Sequence, residues 1–194
     1  MDSYRTIRTL AEGTYSEKRS KFLAFAMPVR SVEEVKQLVG EYQKKYYDAR
    51  HVCYAYMLGA ERKDFRANDN GEPSGTAGKP ILGQINSNEL TNIIILVVRY
   101  FGGVKLGTSG LIVAYRTAAA EAIANATIEE RQVEAEYDFN FEYPLMNAVM
   151  KVVRDMEARV LSQTYDMDVQ MCVSIRQGRL EELKTRLAKA ISPF

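Results

Sequence analysis

Residues 92–98, NIIILVV, run into RYFGGVKLGTSG and then into LIVAYRTAAAEAI. This order constrains the chain more than any other stretch. The apolar, β-branched run Ile93–Val98 predicts a strand buried on both faces. The alanine-rich stretch from Leu111 to Ala126 predicts a helix, with Ser109 placed to cap its start. Between them, Gly102, Gly103, Gly107 and Gly110 join strand to helix. A strand that feeds a helix N-terminus through glycines presents free backbone N–H groups and the positive end of a helix dipole. That geometry suits phosphate or carboxylate, with charge from Arg99 and Lys105 and hydroxyls from Thr108 and Ser109. The alternative is that the glycines only permit a tight turn and close helix packing. A Walker loop is excluded, because Thr108 stands where the phosphate-binding lysine belongs. The spacing is nearer the GLGSS-type phosphate loop of small-molecule kinases.

A second loop is as conspicuous. NDNGEPSGTAGKP, residues 68–80, contains Gly71, Gly75, Gly78, Pro73 and Pro80 and reads as one long polar loop, a length often associated with function. It carries Asp69, Glu72, Ser74, Thr76 and Lys79. Lys79 could contact an anion, and Asp69 or Glu72 could act as metal ligand or base. The competing reading is an ordered surface loop whose side chains cap their own backbone. His51 is the only histidine, which excludes paired-histidine chemistry. It opens the strand-like run HVCYAYML and is either a hydrogen-bonded structural residue or a ligand contact. Cys53 shares its strand face, but no third orienting residue is apparent for a thiol nucleophile.

Upstream, KFLAFAMPV (residues 21–29) predicts a strand, and Ser31 with Glu34 forms a capping box for a helix whose apolar stripe is Val32, Val35, Leu38, Val39 and Tyr42. Downstream, ATIEER (126–131) reads as a boundary between domains 1–127 and 132–194. Beyond it VEAEYDFNFEY alternates strictly, with Val133, Ala135, Tyr137, Phe139 and Phe141 on one face and Glu134, Glu136, Asp138, Asn140 and Glu142 on the other. A helix after Pro144, a strand near 160–165, an alternating strand placing Met167, Val169, Met171, Val173 and Ile175 inward, and a helix over 180–190 complete the order β-α-β-β-α. That is a ferredoxin-like half-domain lacking its last strand. Cys172 falls on the polar side and reads as inert.

The net charge of +1 hides an asymmetry: through Thr127 there are 17 Lys+Arg against 13 Asp+Glu, and after it 9 against 12. The first part suits an anionic partner. The acidic sheet face of the second part is either a solvated face or a contact for a basic protein, and it should repel phosphate. The two distant cysteines have no metal-binding spacing, the first residues lack an apolar signal core, and no apolar run is long enough to span a bilayer. These features point to a cytoplasmic protein with no membrane contact.

Four stretches resemble the YigZ/IMPACT family: SKFLAFAMPV, ARHVCYAYMLG, DNGEPSGTAGKPILGQI and VVRYFGGVKLGTSGLIVAYRTAAAEAI, together most of residues 15–125. The resemblance implies an α+β fold of two domains. The first would be an N-terminal α/β sandwich like domain IV of elongation factor G, and the second a C-terminal ferredoxin-like β-α-β-β-α domain like its domain V. It also implies a role linked to translation: eukaryotic members regulate it by binding a large activator of an initiation-factor kinase, and a nucleic-acid or ribosome-associated role is proposed for bacterial ones. The matching positions are His51, Asp69, Glu72, Ser74, Thr76, Lys79, Arg99, Tyr100, Gly102, Gly103, Lys105 and Gly107. Two departures stand out. Ser109 replaces a family glycine, and Val113 stands where a basic residue is usual, with Arg116 three residues on. The expected function is binding of RNA, the ribosome or another anionic partner through the glycine loops. The alternatives are a protein-interaction module and an enzyme acting on a small phosphorylated ligand. No catalytic residue, metal or cofactor is assigned.

Overall fold

The computed structural model describes residues 2–192; Met1, Pro193 and Phe194, the outer ends of the two expected domains, lie outside the described residues. The chain divides into two compact units, Tyr4–Arg131 and the residues from Gln132 onward, the latter joined by the extreme N-terminal residues up to Ser3.

The first unit contains β1 (Ser3–Ile7), β2 (Ala11–Glu17), β3 (Ser20–Pro28), α1 (Val32–Lys45), β4 (His51–Leu58), β5 (Asp64–Asn68), α2 (Gly78–Ser87), β6 (Ile93–Tyr100), α3 (Gly107–Ala124) and β7 (Ile128–Gln132). Its main sheet has the order β2-β3-β6-β4-β5, and every neighbouring pair is antiparallel. The apolar run therefore lands on the central strand. Ile93, Ile95 and Val97 join a core with α2 and α3, while Ile94, Leu96 and Val98 join a second core with α1. All six are fully buried, each contributing roughly 1.5–3 kcal/mol. Helices on both sheet faces explain why an antiparallel strand lacks the usual polar alternation. The buried face of α3 is largely Ala114, Ala118, Ala119 and Ala122, small enough for the helix to lie close to β2.

Several expectations need correction. The stretch 68–80 is not one loop: Asn68 ends β5, Gly78 begins α2, and the loop proper is 69–77. The helix escapes a propensity reading because GKPILGQINS holds two glycines, a proline and two β-branched residues. Tertiary burial of Ile81 and Ile85 decides it. ATIEER carries structure of its own, since β7 pairs with β1 in a two-stranded sheet, and the division between the two units falls at its end, between Arg131 and Gln132. Ser31 caps α1 as expected, accepting from the Glu34 N–H, but Glu34 reaches back to the Arg30 N–H rather than to Ser31.

The second unit contains β8 (Glu134–Phe141), α4 (Met146–Asp155), β9 (Arg159–Tyr165), β10 (Val169–Arg176) and α5 (Leu180–Ile191). Its antiparallel sheet has the order β8-β10-β9, the ferredoxin-like arrangement without a fourth strand. Phe141, Val169, Met171, Val173 and Ile175 pack under α4 and α5, as the alternation requires. Met167 does not join them; it is 98% exposed, in the turn closed by the Asp166 N–H on the Asp168 carbonyl. Among the described residues, no helix is long and apolar enough to cross a membrane.

Candidate functional site

The two glycine loops of the first unit meet across β4 and β6. His51 and Arg99 are register partners on these adjacent strands, and the 69–77 loop folds back over them. Glu72, at the tip of that loop, is buried with its side chain only 3% exposed. Arg99 Nη1 donates to both its oxygens at 2.7 and 2.8 Å. Tyr115 Oη of α3 donates to Oε2 at 2.8 Å, and His51 Nε2 lies 2.9 Å from Oε1. Glu72 thus clasps β4, β6 and α3 to the loop.

The second nitrogen of His51, Nδ1, lies 2.7 Å from the Asn70 carbonyl. Both ring nitrogens therefore face oxygen atoms of the 69–77 loop. Burial, assisted by Cys53 and Glu72, pushes the Tyr115 phenol far above its ordinary range, so it stays a donor. Burial is also the main cause that pushes the Cys53 thiol up to about 12. Its Sγ points to the Asp69 carbonyl at 3.0 Å and to Tyr115 Oη at 3.4 Å. Cys53 is a packed thiol, not a nucleophile.

Asp69 organises the loop. Its Oδ2 accepts from the Gly75 N–H at 2.9 Å, and its Oδ1 from the Ala77 and Gly78 N–H groups at 3.1 and 2.8 Å. It thereby serves the start of α2, where the residue preceding the helix offers no side-chain cap. Burial alone would raise its carboxyl, but the three N–H bonds together with the charge of Lys79 outweigh it and hold the group below its ordinary value. Neither carboxylate of the loop is free to act as a base, because both are engaged by donors. Among the described residues, no group of three or more His, Cys, Asp or Glu could hold a metal ion.

Beside this clasp lies a cavity of about 350 Å³. Its walls include Arg50, Arg99, Phe101 and Lys105, the Gly107–Thr108 start of α3, and the outer edge of His51 and Glu72. The chain reaches it by a close approach at Gly102, where a Cβ would stand 2.2 Å from the Arg19 carbonyl carbon, and by a left-handed turn at Gly107, φ +74°. That turn starts α3 a full turn earlier than expected. Ser109 consequently does not cap the helix; it lies inside the first turn, and no side chain caps α3 at all. The first-turn N–H groups are left without a side-chain partner. The Arg99 guanidinium lies over Phe22 and Phe101 at 5.6 and 5.5 Å from the ring centres, and Arg50 lies over Phe101 at 5.4 Å.

Of the expected site residues, the cavity gathers His51, Glu72, Arg99, Lys105, Gly107 and Thr108. Gly102 and Gly103 shape the loop that leads to it. Ser109 faces a separate hollow with Tyr15, Lys18 and Val113. Arg116 is exposed on α3 and is not among the lining residues. Ser74 and Lys79 are exposed, and Thr76 is buried with its hydroxyl on the Pro73 carbonyl at 2.6 Å. Sequence reasoning missed Tyr115, Arg50 and Phe101. Tyr115 was detectable as the one aromatic residue of α3; Arg50 carries no signal beyond its place before His51.

On the acidic face of the second unit, Glu134 is paired with a cation, Arg159. Glu134 accepts from Ser174 Oγ at 2.7 Å and from Arg159 Nη2 at 3.0 Å. A shallow hollow there of about 470 Å³ is lined by Asp138, Asn140, Ser162, Thr164, Gln170 and Cys172.

These features define a two-domain α+β protein whose first unit carries a cation-lined cavity at an uncapped helix start. The Impact N-terminal domain matches residues 18–123, and a domain of unknown function, DUF1949, matches residues 139–192. The chain belongs to the IMPACT family. It is 31% identical over 173 residues to the IMPACT family member YigZ of Escherichia coli (strain K12), covering 88% of this chain and 85% of that one. It is 29% identical over 170 residues to the IMPACT family member YvyE of Bacillus subtilis (strain 168), covering 88% and 78%. A solved structure described as a crystal structure of an hypothetical protein superposes with a TM-score of 0.78 at 29% identity, over 97% of this chain and 93% of that chain.

Proposed function

We propose that this protein is a translation-linked binding protein that engages RNA, in its natural setting that of the ribosome, through the glycine loops of the first unit. The observation that carries the reading is the convergence of Arg50, Arg99 and Lys105 on a cavity opened by the uncapped start of α3. A helix start with free N–H groups and adjacent cations is a phosphate receptor. The excess of 17 Lys+Arg over 13 Asp+Glu through Thr127 supplies the surrounding attraction, and the family resemblance supports the link to translation. A catalytic reading is weaker, because the carboxylates and the imidazole near the cavity are all occupied by protein partners.

The test is binding of a single-stranded RNA across a salt series. Affinity falls steeply with salt, and Lys105→Ala lowers the slope of log K against log salt by about 0.7, the loss of one phosphate contact. Binding that ignores salt, or a slope unchanged by Lys105→Ala, refutes the reading.

A further inference from the structure

The sheet of the second unit is open beside β8. Its order is β8-β10-β9, and among the described residues no strand lies on the far side of β8. An edge strand carries a row of unpaired N–H and C=O groups along its outer side. β8 keeps unbroken register with β10 from Glu134 to Phe141, so its outer side is regular as well. The other edge strand, β9, is interrupted by a register shift opposite Cys172 and Val173, and such a bulge hinders further pairing. The side chains of β8 also lack cover. Tyr137, Phe139 and Phe141 share the core face and form a row of stacked rings, with centroids 5.6 and 5.8 Å apart. Yet Tyr137 and Phe139 stay half-buried, while Val169, Met171, Val173 and Ile175 of the central strand are buried. On the opposite face Glu136 and Asp138 are exposed and form no salt bridge among the described residues. β10 sets Ser174 and Cys172 opposite them, so their register partners supply no cation.

We propose that β8 receives an added strand: an extended segment of a partner protein in which basic and aliphatic residues alternate. Main-chain hydrogen bonds along the edge hold such a segment, and its alternate side chains decide which segment fits. Strand side chains repeat with period two. The aliphatic residues of the segment therefore lie beside Tyr137 and Phe139 and cover the aromatic row, and its Lys or Arg residues lie beside Glu136 and Asp138 as opposite-charge pairs. Lys184 of α5 enforces the alternation. Its Nζ stands 5.5 Å from the centre of the Tyr137 ring, so a cation on that face meets like charge. A second copy of this chain fits poorly, because β8 against β8 sets acidic residues beside acidic ones. RNA fits poorly for the same reason, since this face repels phosphate. The slot belongs to the second unit alone and stands independently of RNA binding by the first.

The probe is a fluorescein-labelled peptide of repeating Lys-Val, as long as β8, added to the full chain and followed by anisotropy and by hydrogen–deuterium exchange. One control has the same composition in block order, lysines first and valines last, and cannot set the two residue types on opposite faces. A second control is repeating Glu-Val, which reverses the charge and needs no change to the protein. The Lys-Val peptide binds at least about 10-fold more tightly than either control. Glu136→Lys/Asp138→Lys, two exposed positions, weakens it by at least about 10-fold. Bound peptide slows exchange at alternate amides of β8. Equal binding of the alternating and block-order peptides reduces the effect to general charge attraction and overturns the proposal. So does exchange along β8 that the peptide leaves unchanged, or no binding of the Lys-Val peptide. A dimer of the free chain in sedimentation equilibrium, with β8 amides already protected, assigns the edge to a second copy and also overturns it.

Discussion

Replacing Glu72 by Gln tests whether the clasp holds the two loops in place. Glutamine keeps the shape of the side chain and one acceptor oxygen but removes the charge that Arg99 and His51 face. Both members of the Glu72–Arg99 pair are nearly inaccessible, at 3% and 6% side-chain exposure. Removing one partner from a buried ion pair costs about 3–5 kcal/mol, because the remaining charge is stranded. The retained amide oxygen places Glu72→Gln near the lower end, about 3 kcal/mol. For a chain of this size that lowers Tm by about 6–12 °C. The control is Glu134→Gln, whose partner Arg159 is 68% exposed and whose loss costs less than about 1 kcal/mol. Calorimetry or thermal melting by circular dichroism reads both variants. Glu72→Gln/Arg99→Met, which removes the stranded charge as well, is less destabilised than the sum of its single changes. A Glu72→Gln protein that melts within 2 °C of the parent refutes the reasoning.

Three further outcomes follow from the geometry. Asp69→Asn destabilises the protein by about 1–2 kcal/mol at neutral pH through weakened bonds to Gly75, Ala77 and Gly78. Because the folded-state carboxyl titrates below its unfolded value, its contribution is present above the unfolded value and is lost as pH falls through the folded one. Urea midpoints of parent and variant therefore converge in acid. Cys53, pushed up to about 12 and buried, resists iodoacetamide at pH 8 while Cys172, partly exposed, reacts first, as peptide mass spectrometry would show; labelling of Cys53 at the rate of Cys172 contradicts its packing. Ser109→Ala changes stability by less than about 0.5 kcal/mol in denaturant melts, whereas loss of a true N-cap costs about 0.5–2 kcal/mol.

Periodicity made the scaffold legible. The run Ile93–Val98 announces a central strand because nothing polar interrupts it, and the alternation of β8 and β10 announces a half-buried sheet. The helix α2 was illegible for the opposite reason: Gly78, Pro80 and Gly83 disguise a segment that long-range burial makes helical. The start of α3 was misplaced because a serine is the ordinary cap, while here a positive φ at Gly107 sets the turn and no cap is used. The clasp was half legible. His51, Glu72 and Arg99 were each singled out, but their union depends on β4–β6 register and on the fold-back of the 69–77 loop. Those are relations between residues 21 to 48 positions apart, and no local pattern encodes them. Tyr115, hidden in a helix read as plain alanine packing, belongs to the same class.

The central claim is that the uncapped start of α3 and the cations beside it receive an anion. Titration of the ¹⁵N-labelled protein with inorganic phosphate, followed by amide resonances, tests it directly. The account predicts saturable shifts concentrated on the Gly107 and Thr108 amides. Shifts scattered over exposed lysines, with those two resonances unmoved, would contradict it.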